Sequence, residues 1–128
     1  MQKNIISTNK APQAIGPYSQ AVRFDNLLFI SGQIPIEPES GEILKENIKE
    51  QTKQILENLN CILTAGGSSL NNVLRTTIFL TSLDDYAAVN EMYAQFFGES
   101  QPARSTVQVS RLPMDVQIEI DAIAGINT

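Results

Sequence analysis

Apolar residues recur along this chain at two periods, and the periods divide it into elements. From Asn47 to Ala65 the spacing is helical: Ile48, Thr52, Ile55, Leu59 and Ile62 follow at steps of four, three, four and three. Leu56 and Leu63 widen the stripe, while Lys49, Glu50, Lys53 and Glu57 take the polar side. Gly66-Gly67 comes next, and glycine ends helices because it accepts the left-handed cap conformation. Asp84 to Phe97 reads as a second helix, started by Ser82 or Asp84 and stopped at Gly98. Its apolar stripe is Tyr86, Val89, Tyr93, Phe96 and Phe97.

The other runs have strand character. "QAVRFDNLLFISG" carries two apolar-rich runs around Asp25-Asn26, which predicts a hairpin with a two-residue turn. Val73 to Leu80 is β-branched and mostly apolar, the pattern of a buried strand. "RSTVQVSRL" and "VQIEIDAIA" both alternate, and the intervening "LPMD" predicts that they pair as an antiparallel hairpin. Ala-Pro and Gly-Pro in residues 1–19 predict an irregular segment, and the turn residues of "GQIPIEPESGEI" a loop. The order is ββαβαββ: a single α+β domain over 1–128, with both helices on one face of one sheet. No third layer is available for the opposite face, so that face is expected to pack against other subunits.

Composition narrows the functional classes. The chain has 128 residues, 42% hydrophobic and 18% charged, an ordinary globular balance. Net charge is −5, and the nine Lys and Arg residues are scattered singly. General nucleic-acid binding needs clustered cations to neutralise phosphates, so it is not expected. The apolar run "LLFI" is far too short to span a bilayer, and no apolar run of signal-peptide length opens the chain. Cys61 is the single cysteine, and its position beside the helical stripe favours a buried inert thiol over a nucleophile. These features together predict a cytoplasmic protein. Histidine is absent, which excludes a Ser-His-Asp triad, a Cys-His pair and a His-ligated zinc within this chain.

Candidate chemistry therefore falls to Arg, carboxylates, Tyr, hydroxyls and backbone. In "QPARSTVQV", alternation puts Arg104, Thr106, Gln108 and Ser110 on one face, turned away from the core or into a cleft. Arg104 is either a solvated strand-end residue or an anion anchor whose planar fork takes a carboxylate. Glu119 and Asp121 share one face of the final strand; they are either an exposed polar face or include a general base. Asn90 lies inside the apolar stripe of the second helix, where an amide needs hydrogen-bond partners, structural or in a site. Tyr18 in "IGPYS" is either a packed loop residue or a lid over a small pocket.

The segments "AIGPYSQAV", "ISGQIP", "AGGSSLNNVLRTTIFL", "VNEMYAQFF", "PARSTVQVSRLP" and "VQIEIDAIA" together resemble the RidA/YjgF family over essentially the whole chain. "PARSTV" with "RLP" and "IEIDAIA" are the most specific. The resemblance implies the chorismate-mutase-like α+β fold, assembled as a homotrimer with active sites in clefts between subunits. It implies hydrolysis of 2-imino or enamine acids, such as 2-iminobutanoate and 2-iminopropanoate, to 2-oxo acids and ammonia, without metal or organic cofactor. Such imines escape from pyridoxal-phosphate enzymes such as threonine dehydratase. On this resemblance Arg104 grips the substrate carboxylate, Glu119 is associated with the attacking water, and Tyr18, Ser31 and Asn90 close or order the pocket. Many members have cysteine where this chain has Thr106. The family role of that position uses the backbone carbonyl, which threonine keeps. A trimeric small-carboxylate-binding or regulatory module without turnover is the alternative from another class.

Overall fold

The computed structural model describes residues 2–127. The long helical stripe forms α1, Ile48–Ala65, whose start is capped by the Asn47 side chain accepting from Glu50 N at 3.0 Å. At its end Gly66 remains helical and Gly67 takes the left-handed conformation, φ +83°. α2 is Tyr86–Phe97, preceded by a short 3₁₀ turn, Leu83–Asp85, that the Ser82 hydroxyl caps at Asp84 N. The strands are β1 (Lys3–Ile6), β2 (Ala21–Phe24), β3 (Leu27–Gln33), β4 (Val73–Leu80), β5 (Ala103–Gln108) and β6 (Ile118–Gly125). They make one mixed sheet in the order β1-β2-β3-β6-β4-β5.

Both helices lie on the same face of this sheet. Ile55, Leu56, Leu59, Ile62 and Leu63 of α1 are fully buried in one cluster with Leu28, Ile30, Ile118 and Ile120 of the strands. Each such side chain contributes about 1.5–3 kcal/mol of burial free energy, so this layer dominates stability. The opposite face has no covering element among the described residues. Phe24, Leu27, Phe29, Leu74 and Val107 are 37–53% exposed.

The Asp25-Asn26 turn joins β2 to β3 as expected, with Asp25 at φ +56°. Two expectations are corrected. Residues 3–6 are a strand, paired antiparallel with β2, where an irregular segment was expected. Only four residues long and mostly exposed, β1 offers little apolar alternation to read. The last two strands do not form a hairpin: β5 pairs parallel with β4, and β6 inserts between β3 and β4, antiparallel to both. Burial explains the exchange. Ile118, Ile120, Ala122 and Ala124 of β6 are at most 3% exposed, so the strand with the cleanest apolar alternation takes the centre. The polar "ARSTVQ" of β5 goes to the edge.

Candidate functional site

Register decides which candidates can meet. Arg104 stands opposite Thr76, and Thr106 opposite Ile78, both of which point into the helix-side core. Arg104 and Thr106 therefore share the helix face of the sheet. Glu119 stands opposite Phe79 and Asp121 opposite Thr77, on the face the helices leave open. β4 lies between β5 and β6, and this register puts the guanidinium and the carboxylates on opposite faces of the sheet, so they are not adjacent.

On the helix side, Arg104 Nη2 donates to the Tyr86 hydroxyl at 3.0 Å. Its guanidinium carbon lies 4.9 Å from the centre of the Tyr93 ring and 5.5 Å from that of Tyr86. Among the described residues the ion pairs are Lys49–Glu91 and Arg111–Asp115, and none involves Arg104. Arg104, Asn90, Tyr93 and Gln101 line an open cleft of about 330 Å³. Asn90 is only partly buried, one helical turn after Tyr86, so it is a cleft residue rather than an amide sunk in the core. The Asn90 amide, then the Arg104 charge and hydrogen bond, favour the Tyr86 phenolate and lower its pKa. Burial raises that of Tyr93. The Thr106 hydroxyl is buried and has no hydrogen-bond partner among the described residues.

The second group lies around a bulge. Between Ile30 and Gln33, β3 has one residue more than β6, which sets Ser31 and Gly32 against Asp121. Ser31 donates to Ser19 O at 2.6 Å, fixing the loop that carries Tyr18. Tyr18, Gly32, Met114 and Glu119 line a cavity of about 240 Å³. Tyr18 is 54% exposed, and its hydroxyl accepts from Ile15 N at 3.3 Å, closing its loop on itself. Burial, then the nearby Asp121 charge, pushes the half-buried Glu119 carboxyl upward in pKa. Ser31 also borders a neighbouring open-face hollow with Arg75, Thr77 and Asp121.

One chain thus brings Tyr18 and Glu119 together, and Arg104 and Asn90 together, but not the two pairs. Three further residues shape these sites without having been singled out. Gly32 is one: a Cβ there would lie 2.3 Å from Glu119 Oε2, so the carboxylate occupies the space a side chain would need. A glycine inside a strand signals such close approach. Tyr86 and Tyr93 are the others, hidden in the sequence as members of an apolar stripe. Among the described residues no group of three or more His, Cys, Asp or Glu is arranged to hold a metal ion. No helix among the described residues is long and apolar enough to cross a membrane.

Comparison with known proteins finds similar sequences and similar folds over nearly the whole chain. The family model described as endoribonuclease L-PSP matches residues 8–126. A RutC family protein of Pyrococcus abyssi is 56% identical over 97% of this chain and 98% of its own. The 2-iminobutanoate/2-iminopropanoate deaminase of Mus musculus is 48% identical over 95% and 90% of the two chains. The crystal structure of E. coli TdcF with bound serine superposes with a TM-score of 0.92 at 46% identity, covering 97% of this chain and 99% of that one.

Proposed function

The chain belongs to the endoribonuclease L-PSP family, the group of RidA and YjgF, and from that premise we propose that it hydrolyses 2-imino acids to 2-oxo acids and ammonia. The substrates would be small, 2-iminobutanoate and 2-iminopropanoate, the pair named for the mouse relative. Pyridoxal-phosphate enzymes such as threonine dehydratase would supply them. The observation that carries the reading is Arg104: a guanidinium on an aromatic floor, at an open cleft, with no ion pair to a carboxylate among the described residues.

In this reading Arg104 binds the substrate carboxylate and fixes the imine carbon, which removes much of the entropic cost of the encounter. Water adds to that carbon as the C=N π electrons pass to nitrogen, giving a carbinolamine. Glu119 passes one proton of the attacking water to the nitrogen in that step; it then carries the carbinolamine hydroxyl proton to the amino group, so the C–N bond breaks and ammonia leaves as the carbonyl forms. A carboxyl with a raised pKa suits this exchange better than an ordinary one. The Thr106 backbone carbonyl would help hold the water, and Tyr18, Ser31 and Asn90 would order the pocket. No metal or organic cofactor enters this scheme.

Arg104 and Glu119 face opposite ways, so the reading includes a neighbour. The exposed apolar sheet face supports a homotrimer, with each site built from the Arg104 side of one subunit and the Glu119 side of the next. The serine bound to the TdcF relative favours a second reading, a small-carboxylate-binding module without turnover. Threonine dehydratase coupled to this protein separates the two by the rate of imine loss. Acceleration, reduced about a hundredfold by Arg104→Ala, is the expected result. No acceleration by the wild-type protein overturns the enzyme reading.

A further inference from the structure

Arg104 reaches from an edge strand over two tyrosines of α2, and these do different things. Tyr93 is a fixed floor. Its hydroxyl lies 2.7 Å from Thr76 Oγ1 in the buried interior, and its ring packs against Phe97 with centroids 4.8 Å apart. Attraction between a cation and a ring face holds the guanidinium down but constrains its rotation in the plane only weakly. Direction comes from Tyr86, whose hydroxyl accepts from Nη2 at 3.0 Å. No other hydrogen bond or ion pair of the Arg104 side chain occurs among the described residues.

The chemistry of that acceptor matters. An aspartate or glutamate beside Arg104 would orient the fork equally well, but it would cancel the charge and compete with an anionic ligand. A phenol oxygen accepts while neutral, so orientation is set and the charge stays available. One Nη2 proton is engaged in this way, which leaves the other guanidinium donors to meet a bidentate carboxylate. We propose that Tyr86 is a positioning residue: it fixes the orientation of the Arg104 guanidinium, across the Tyr93 floor, without neutralising it. This rests on the carboxylate-clamp reading of Arg104 given above.

Tyr86 is 42% exposed, so Tyr86→Phe removes one oxygen without opening the core. Two measurements on the full chain test the proposal. Nitrogen NMR of the Arg104 guanidinium, assigned against Arg104→Lys, is expected to show restricted rotation in the wild type and averaged signals in Tyr86→Phe. Titration with 2-oxobutanoate, the stable product, is expected to give a dissociation constant about tenfold weaker in Tyr86→Phe. Arg104→Ala is the reference. If it abolishes 2-oxobutanoate binding while Tyr86→Phe changes neither measurement, the clamp stands and the positioning role is overturned. If Arg104→Ala binds 2-oxobutanoate like wild type, the clamp itself is wrong, and the proposal for Tyr86 goes with it.

Discussion

Arg104 and Glu119 lie on opposite faces of one sheet, with β4 between their strands. A single chain therefore cannot close both around one ligand. If neighbouring subunits complete the site, two inactive variants should rescue each other. Arg104→Ala and Glu119→Gln, each strongly impaired alone, are expected to regain about a quarter of wild-type activity after unfolding and refolding together in equal amounts. A refolded mixture as inactive as its components would rule out sites shared between subunits.

The open sheet face should determine assembly. Phe29 is 42% exposed on this face, beside Ile123 of β6. A carboxylate there would be desolvated at any subunit contact, a cost of several kcal/mol per buried ion. Phe29→Asp is expected to run as a folded monomer in size-exclusion chromatography with light scattering, and to lose imine hydrolysis. A wild-type protein that is itself monomeric at micromolar concentration refutes the trimer.

Gly32 separates activity from stability. The atoms a Cβ would strike are those of the Glu119 carboxylate, the mobile end of a side chain rather than backbone. Gly32→Ala should therefore shift the melting temperature little. Activity should fall about tenfold or more, because the carboxylate must leave its position. Wild-type turnover in a folded Gly32→Ala would show that the location of Glu119 is unimportant.

The raised pKa of Glu119 has a definite sign for stability. Folding favours its protonated form, because burial and then Asp121 penalise the charge. The penalty is absent below the unfolded pKa of about 4.3, grows as pH rises through the folded value, and is constant above it. Glu119→Gln carries no such charge. Its melting temperature should exceed wild type at neutral pH, and the gap should close as pH falls through the Glu119 titration. A gap that stays constant with pH counts against this account.

Tyr93→Phe tests the floor beneath Arg104. The ring is kept, but Thr76 Oγ1, fully buried, loses the one hydrogen-bonded partner it has among the described residues. Leaving it unpaired should cost about 1–3 kcal/mol, read by urea denaturation. Tyr93→Phe combined with Thr76→Val should recover much of that loss.

Local signals in the sequence were enough for the elements whose partners are adjacent. The β2–β3 hairpin, α1 with its Asn47 boundary, and β4 each follow from spacing and punctuation within their own residues. Pairing at a distance was not legible. Nothing in "LPMD" distinguishes a hairpin from a connection that carries β6 past β4, because that choice depends on which strand buries more apolar surface. The same limit hid the division of the candidate residues between two faces of the sheet. Arg104, Glu119, Tyr18, Ser31 and Asn90 can be picked out by type and resemblance, but the sheet order that divides them is a tertiary property. Tyr86 was concealed because it keeps the helical period of Val89 and Tyr93 while standing at the exposed start of α2.

The position of β5 in the sheet has a consequence for local opening. β5 is held by one ladder, to β4, whereas β6 is held by two. Releasing an edge strand breaks fewer backbone bonds than releasing a central one, so amide protons of β5 should exchange with solvent sooner than those of β6. The chain thus carries its guanidinium on a strand that can detach cheaply, and its carboxylate on one that comes free only when the whole domain unfolds.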